Sequence, residues 1–282
     1  MFMSDEFFIE GHGSRFGVKR WGDAGGIPVL ALHGWLDNAA TYDFLAPLLN
    51  GVQLVAMDFA GHGLSDHRSV DARYHYIDYI PDVIEVADAL GWREFALLGH
   101  SLGAGVAVLT AGTIPDRVGK LVLIEGIGPL IGETDKIPLY LSSSIKQERR
   151  LRDKRKPVYP TVERMVEARA KTGDLTRELC DPLVSRNRVA LEGGYTWRSD
   201  ARLKNTSPLY MTEEQVSPFL RNVTAETLLI TGESGYLHQR EYFESRRDCV
   251  SRLTHRSLPG GHYPHMESPE RVADLINPFL AG

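Results

Sequence analysis

The chain has 282 residues, of which 43% are hydrophobic and 24% are charged, and its formal net charge at pH 7 is −5. This length suits one large domain or a domain with an insertion, and the composition is ordinary for a globular protein. The negative net charge gives no electrostatic reason to expect nucleic-acid binding.

Cysteine usage and hydropathy narrow the class of protein further. The two cysteines, Cys180 and Cys249, lie far apart and form neither a CxxC redox pair nor a zinc cluster. No apolar run reaches the ~18 residues of a membrane span. The N-terminal stretch MFMSDEFFIEGHGSR has early acidic residues and no apolar run of signal-peptide length. We therefore expect a cytoplasmic protein with free thiols, without a membrane span or a nucleic-acid partner.

Five short apolar runs, each rich in Val, Ile or Leu, predict buried strands. Continuous apolar runs are typical of strands that are covered on both faces, as in a parallel sheet. In chain order, the runs are Ile27–Trp35, Val52–Phe59, Glu94–Ser101, Lys120–Gly128 and Thr227–Glu233.

Helix-like segments lie between and after these runs. YIPDVIEVADALGW places apolar residues at helical spacing and has Gly91 as a stop signal, and PERVADLINPFL has a similar pattern at the C-terminus. Alternating strands and helices predict an α/β fold with right-handed crossovers.

The alternation stops between about Leu130 and Phe219, where no clear buried strand occurs. We interpret this stretch as a helical insertion, so that residues 1–129 and 220–282 form the core and residues 130–219 the insertion. It contains a charge-dense run, Lys146–Lys156, with seven basic and two acidic residues. A solvated helix face is the simplest interpretation. The alternative is a basic rim that attracts anionic substrates or a membrane surface.

The segment EFALLGHSLGAGVAV predicts a strand, a sharp turn and a helix, with the pattern G-x-S-x-G at the turn. At such a turn Ser101 projects its hydroxyl above the sheet, and side chains at Gly99 or Gly103 would clash. The start of the helix also places N–H groups and a positive dipole end near developing negative charge. We predict that Ser101 is a nucleophile, and a packing turn with an incidental serine is the alternative.

A serine hydroxyl is a poor nucleophile at neutral pH and needs a general base. Near the C-terminus, LPGGHYPHMESPE contains two histidines in a loop that leaves the last predicted strand. His262 directly follows two glycines and is the predicted base. His265 is the competitor, but its place beside Met266 and Glu267 is typical of a structural histidine at the start of the final helix.

An ester hydrolase also needs hydrogen-bond donors for the oxyanion of its tetrahedral intermediate. The loop after the first predicted strand and the start of the helix after the nucleophile are the places that supply them. We predict the backbone N–H groups of Trp35 and Leu102 as the two donors. His33 is interpreted as a brace of this loop, and Asp58 and Ser65 as turn formers below the site.

The segments LHGW, MDFAGHGLSD, GHSLG and GGHYPHMESPE, in this order and at typical separations, resemble the α/β-hydrolase superfamily. Two further segments, LHGWLDNAATYDFLAPLL and IEGIGPL, look like its serine hydrolase-like branch. The resemblance covers almost the whole chain. It implies an eight-stranded, mostly parallel sheet with helices on both faces and a helical cap inserted after the sixth strand. It implies no metal and no organic cofactor.

A catalytic histidine needs a carboxylate that fixes its tautomer and stabilises the imidazolium. In most members of this superfamily the acid follows the seventh strand, at the position that Gly235 holds here. Glu125 ends the apolar run one strand earlier, and the carboxyl ends of neighbouring parallel strands converge on one crevice. We predict Ser101, Glu125 and His262 as the catalytic residues. Glu233, or a dyad without an acid, remains the alternative.

Together these residues predict a carboxylesterase-like serine hydrolase that cleaves small-molecule esters of small or medium acyl chains through an acyl-enzyme. A lactonase, a thioesterase or a C–C bond hydrolase would use the same three residues. Some proteins of this fold are ligand-binding proteins instead, and the missing aspartate at Gly235 is the feature that favours this reading. The sequence predicts neither the acyl and alcohol specificity nor the oligomeric state.

Overall fold

The structure is a computed structural model. It describes residues 4–152, 154–172 and 175–282, except for the side chain of Arg152. Part of the predicted charge run, at positions 152 and 153, and the first three residues of the N-terminal stretch therefore lie outside the described residues. The strands are β1 (Asp5–Glu10), β2 (Arg15–Gly22), β3 (Ile27–Leu32), β4 (Val52–Met57), β5 (Phe95–His100), β6 (Val118–Ile124), β7 (Arg188–Leu191), β8 (Gly194–Trp197), β9 (Glu226–Gly232) and β10 (Leu253–Leu258).

The helices follow the same chain order. They are α1 (Tyr79–Ala89), α2 (Leu102–Thr113), α3 (Ile137–Arg152), α4 (Val162–Ala170), α5 (Arg177–Asn187), α6 (Glu213–Arg221), α7 (Phe243–Cys249), α8 (Pro264–Glu267) and α9 (Pro269–Ala281). None of the helices in the described part of the chain is long and apolar enough to cross a membrane. Cys180 and Cys249 are not joined in a disulfide.

Eight strands form one sheet in the order β1-β2-β4-β3-β5-β6-β9-β10. Strand β2 pairs antiparallel with both of its neighbours, and all other pairs are parallel. The predicted α/β fold with an eight-stranded, mostly parallel sheet is therefore confirmed. The five apolar runs correspond to β3, β4, β5, β6 and β9, whose residues are almost all buried.

The sheet lies between two apolar layers. One layer contains side chains of α1, α2, α6 and α7, and the other contains side chains of α9 and of the turns that follow β3. Because both faces are covered, the strands read as continuous apolar runs. The carboxyl ends of the parallel strands stay uncovered by these layers, and the candidate site lies at this edge.

Residues 125–225 form an inserted segment between β6 and β9, after the sixth strand of the sheet. It contains α3 to α6 and the two-stranded hairpin β7–β8. Helices α4 and α5 pack on each other and on Tyr263 and Met266, which places them over the carboxyl edge of the sheet. Helix α6 instead packs on α2, where a Cβ at Gly112 would lie 2.4 Å from the carbonyl oxygen of Phe219. The predicted boundary at residue 219 falls inside α6, and the predicted domain limits stay predictions.

Candidate active site

Ser101 lies at a sharp turn between β5 and α2 and has φ 53° and ψ −112°. A Cβ at Gly99 would lie 2.5 Å from the carbonyl oxygen of Gly103, and a Cβ at Gly103 would lie 2.1 Å from that of Leu32. Real Cβ atoms do not approach other atoms so closely. Glycine at positions 99 and 103 therefore permits the close packing of this turn, and the turn positions the Ser101 hydroxyl above the sheet edge.

The structure brings Ser101, Glu125 and His262 together in one hydrogen-bonded chain. His262 Nε2 lies 3.0 Å from Ser101 Oγ, and His262 Nδ1 lies 3.1 Å from Glu125 Oε2. If Nδ1–H donates to the carboxylate, Nε2 is left free to accept the serine proton, which is the arrangement that a general base requires. The catalytic roles of the three residues stay predictions at this point.

The Glu125 side chain is fully buried and is held from two sides. Its Oε1 accepts a hydrogen bond of 2.7 Å from the N–H of Gly232, while Oε2 faces His262. Its backbone has φ 51°, and its own N–H donates to the carbonyl oxygen of Ile230. The carboxylate therefore extends from the loop after β6, which carries it, to the carboxyl end of β9, which binds it.

Gly235 makes room for this carboxylate. A Cβ at Gly235 would lie 2.2 Å from Glu125 Oε1 and 2.4 Å from Cδ. An aspartate at position 235 and a glutamate at position 125 in its observed rotamer would thus occupy the same space. The alternative acid, Glu233, is exposed and forms no side-chain hydrogen bond or ion pair with any residue that the structure describes.

The loop after β3 holds one predicted oxyanion donor in a defined orientation. His33 is fully buried, its Nδ1 lies 2.7 Å from the carbonyl oxygen of Gly34, and its Nε2 accepts from the N–H of Phe59. Because the C=O and N–H of a trans peptide point in opposite directions, a carbonyl held by His33 turns the N–H of Trp35 away from it. Burial lowers the pKa of His33 to about 3, so the ring is neutral, as this donor–acceptor pair requires.

Neither predicted oxyanion donor is engaged elsewhere. Within residues 4–152, 154–172 and 175–282, the backbone N–H groups of Trp35 and Leu102 donate to no protein acceptor. Leu102 is the first residue of α2, where an N–H has no partner inside the helix. Both groups are therefore available to an oxyanion, and their role stays a prediction.

Two further histidines lie beneath His262. His265, the alternative base, is fully buried and its Nε2 lies 2.8 Å from Thr41 Oγ1, away from the nucleophile. His100 is also buried, and its Nε2 lies 2.8 Å from the carbonyl oxygen of His262. Since a carbonyl oxygen only accepts, His100 Nε2 must carry the hydrogen. Burial lowers the pKa of His265 to about 3 and that of His100 well below its usual value.

Buried arginine–aspartate pairs tie the inserted segment to the core, and the sequence analysis did not find them. Arg169 of α4 donates to Asp37 in the loop after β3 at 2.8 Å and to the Tyr263 hydroxyl at 3.1 Å. Arg186 of α5 donates through Nε to both carboxylate oxygens of Asp58. Asp58 also accepts from two backbone N–H groups, while Ser65 Oγ donates to its carbonyl oxygen. Asp58 is therefore more than the turn former that we expected.

A cavity of about 470 Å³ opens above Ser101 and His262. Residues 34–36 of the loop after β3 line one side of it. The inserted segment lines the other side with the side chains of Tyr159, Arg169, Leu183, Trp197 and Lys204. Its volume is in the range of small-molecule sites, and its mixed aromatic, aliphatic and polar lining is typical of such sites.

A profile of the alpha/beta hydrolase fold family matches residues 27–269. A serine hydrolase-like protein from Dictyostelium discoideum is 32% identical over 96% of this chain and 79% of its own length. Among solved structures, a hypothetical protein from Pseudomonas aeruginosa is 42% identical, with a TM-score of 0.93 over 98% of this chain and 99% of that chain. A thioesterase domain from the curacin biosynthetic pathway is 25% identical, with a TM-score of 0.84 over 97% of this chain and 99% of that chain.

Proposed function

Because the chain belongs to the α/β-hydrolase family, in its serine hydrolase-like branch, it is a hydrolase, and we propose that it cleaves carboxylic esters of small or medium acyl chains. The observation that carries this proposal is the chain of hydrogen bonds from Ser101 through His262 to Glu125 beneath the cavity. Nucleophile, base and acid stand in the order and at the distances that acyl transfer needs.

The first half of the reaction forms an acyl-enzyme. Ser101 Oγ attacks the ester carbonyl carbon while its proton passes to His262 Nε2, and the buried carboxylate of Glu125 stabilises the imidazolium. The N–H groups of Trp35 and Leu102 hold the resulting oxyanion. The C–O bond then breaks, and His262 returns the proton to the leaving alcohol.

The second half repeats these steps with water. His262 takes a proton from water as the oxygen attacks the acyl carbon, and the same N–H groups hold the second oxyanion. The bond to Ser101 Oγ breaks and His262 gives back the proton, so that a carboxylic acid leaves and the serine hydroxyl is restored. Every proton transfer uses the single histidine, and the residues require no further cofactor.

A fluorophosphonate probe and a series of p-nitrophenyl esters of increasing chain length test this proposal. The purified protein is expected to label at Ser101 and to hydrolyse the shorter esters, and Ser101→Ala is expected to lose both properties. His265→Gln serves as a matched control, because His265 lies outside the reacting chain. Labelling that persists in Ser101→Ala would overturn the assignment, and a protein that neither labels nor hydrolyses any ester would favour a ligand-binding role.

A thioesterase is the second candidate. The likeness to the curacin thioesterase domain favours it, at 25% identity over 97% of this chain. Oxygen esters and thioesters use the same nucleophile, base and oxyanion donors, so only the substrate separates the two activities. Matched butyrate oxygen esters and thioesters, compared by kcat/KM, would decide between them. Lactones and C–C bond substrates belong in the same comparison.

A further inference from the structure

The cavity above Ser101 has an uneven charge. Two cationic side chains, Arg169 and Lys204, line it, and among the described residues no aspartate or glutamate does. Arg169 is neutralised locally, because it donates to the buried carboxylate of Asp37 and to the Tyr263 hydroxyl. The side chain of Lys204, in contrast, forms no ion pair or hydrogen bond with any residue that the structure describes.

Further cationic side chains lie near Lys204. The ammonium of Lys156 lies 2.7–3.2 Å from three consecutive backbone carbonyl oxygens, those of residues 197–199. Lys204 and Arg198 are both close enough to Lys156 to contribute to lowering its pKa, although burial is the largest cause. We call Lys156, Arg198 and Lys204 the cationic edge; of the three, Lys204 is the residue that lines the cavity.

The carboxylate of Asp200, which acts on Lys156, is engaged by other groups of the protein. Asp200 accepts hydrogen bonds from the guanidinium of Arg202, at 2.6 and 3.0 Å, and from the Tyr74 hydroxyl at 2.8 Å. These contacts fix the carboxylate of Asp200 on the core side. Asp200 thus compensates part of the charge of Lys156, but the ammonium of Lys204 has no such partner among the described residues, so this end of the cavity keeps a positive potential.

We infer that the substrate carries a free carboxylate in addition to the ester group that is cleaved, and that Lys204 pairs with this carboxylate. This inference rests on the proposed hydrolase function and names its substrate class. A single ammonium is sufficient to pair with a singly charged carboxylate. The guanidinium of Arg169, which also lines the cavity, is already engaged by Asp37. Lys204 is thus a specificity-determining residue for an acidic ester.

The position of Lys204 relative to the reacting atoms supports this role. It directly follows Leu203, whose carbonyl oxygen accepts a hydrogen bond of 3.0 Å from the indole N–H of Trp35. Trp35 also supplies one of the proposed oxyanion donors. The same turn therefore connects the loop beside the nucleophile to the ammonium, and a carboxylate bound at Lys204 would orient the ester across Ser101.

The test compares matched esters that differ in one charge. The p-nitrophenyl monoester of adipic acid and its neutral amide, p-nitrophenyl adipamate, place the charge on the acyl side. The butyrate ester of 4-hydroxy-3-nitrobenzoic acid and p-nitrophenyl butyrate place it on the alcohol side. In at least one pair, the ratio of kcat/KM, charged over neutral, is expected to exceed 1 and to decline with ionic strength, because a partly exposed pair is screened by salt.

The variants then assign this preference. Lys204→Met is expected to reduce the charged-over-neutral ratio by roughly 3- to 10-fold, and Lys204→Glu by more, while Lys204→Arg retains most of it. Lys171→Met removes an exposed lysine that does not line the cavity and is expected to leave the ratio unchanged.

Two outcomes separate the inference from the function on which it rests. If neutral esters are hydrolysed and neither charged ester is preferred, or if Lys204→Met leaves the preference intact, the inference is wrong and the hydrolase function stands. If no ester of either charge is hydrolysed and Ser101 does not label, the ester-hydrolase function itself fails.

Discussion

The loop after β6 and the loop after β9 end at the same edge of the sheet but contribute different parts of one acid site. The first supplies the carboxylate of Glu125. The last residue of β9, Gly232, donates its N–H to this carboxylate, and the loop after β9 leaves room for it at Gly235, where a Cβ would overlap it. The proposed acid therefore occupies space that a side chain at position 235 would need, and it comes from the neighbouring strand.

The loop after β6 also has an unusual backbone conformation at Glu125. Glu125 has φ 51°, a left-handed conformation that costs a non-glycine residue roughly 1–2 kcal/mol. Its N–H donates to the carbonyl oxygen of Ile230 on the neighbouring strand, and its side chain reaches across to the loop after β9. The sheet edge thus holds an unfavourable backbone conformation in place, as observed at many functional sites.

The largest expected effect comes from replacing the proposed acid on the loop after β6. Glu125→Gln keeps the size of the side chain but removes the charge that stabilises the His262 imidazolium, so kcat for ester hydrolysis is expected to fall by roughly 10³- to 10⁴-fold. Glu233→Gln is the matched control on the other loop, and its kcat is expected to stay within about 2-fold of the wild type. Thermal melting of both variants would establish that they fold.

The opposite ranking would reject the assignment. If Glu233→Gln is the more damaged enzyme, the acid comes from the loop after β9. If both variants retain full activity, His262 acts without a carboxylate.

The fold and the places of Ser101 and His262 in it were predictable because their signals are local. Continuous apolar runs predict strands covered on both faces, and they correspond to the central strands of the sheet. Ser101 stands in a motif whose glycines are sterically required, and His262 follows a glycine pair in the loop after β10. Each of these signals lies within about ten residues of sequence.

The supports of the site were not predictable, because their partners are distant in sequence. Arg169 and Asp37 are 132 residues apart, and His100 is 162 residues from His262, whose carbonyl it binds. Nothing near Arg169 distinguishes it from the other charged residues of the inserted segment. The hairpin β7–β8 was also missed, because its four-residue strands are half-exposed and lack a continuous apolar run.

A methyl group at position 235 should displace the Glu125 carboxylate while Glu125 itself stays unsubstituted. Gly235→Ala places a Cβ 2.2 Å from Glu125 Oε1, so the carboxylate must move, and kcat is expected to decrease about 10- to 100-fold. Gly119→Ala is the matched control, because a Cβ there has no atom within 4 Å and its φ is not positive. Wild-type kcat in Gly235→Ala would show that the carboxylate does not need this space.

The exchange of the two positions sharpens the same test. Glu125→Gly combined with Gly235→Asp moves the carboxylate to the other loop and also vacates the space it needs. The double variant is expected to exceed Glu125→Gly alone by at least about 10-fold in kcat, with KM nearly unchanged. A double variant that is no better than the single one would show that the loop after β9 cannot present an acid to His262.

His100 supports His262 from below both loops, and its effect should be smaller. Loss of the hydrogen bond to the His262 carbonyl in His100→Leu is expected to lower kcat roughly 10-fold by loosening the histidine, with little change in KM. His100→Gln retains an N–H donor and is expected to recover part of the loss. Equal defects in both variants, or a change in KM alone, would reject a positioning role.

The smallest expected effect concerns His265, and it is measured as a change in protein stability instead of a change in rate. Burial lowers the pKa of His265 to about 3, and its ring faces the rings of His100, Tyr42 and Tyr263. In the unfolded chain a histidine has a pKa near 6.5. Below pH 6.5 the unfolded chain therefore binds a proton that the folded chain refuses, and His265 opposes folding increasingly as the pH falls toward 3.

Replacing His265 removes this contribution. Urea denaturation gives the unfolding free energy of the wild type and of His265→Gln at each pH. The amount by which the variant is less stable than the wild type is expected to be about 1.4 kcal/mol smaller at pH 5.5 than at pH 7.5. The raised pKa of Asp82, about 6, acts in the opposite direction but is common to both proteins and cancels in the difference. A loss that is equal at both pH values would mean that His265 is protonated inside the fold. It would then be a titrating group beside His262, and the two histidines would no longer divide into one that reacts and one that packs.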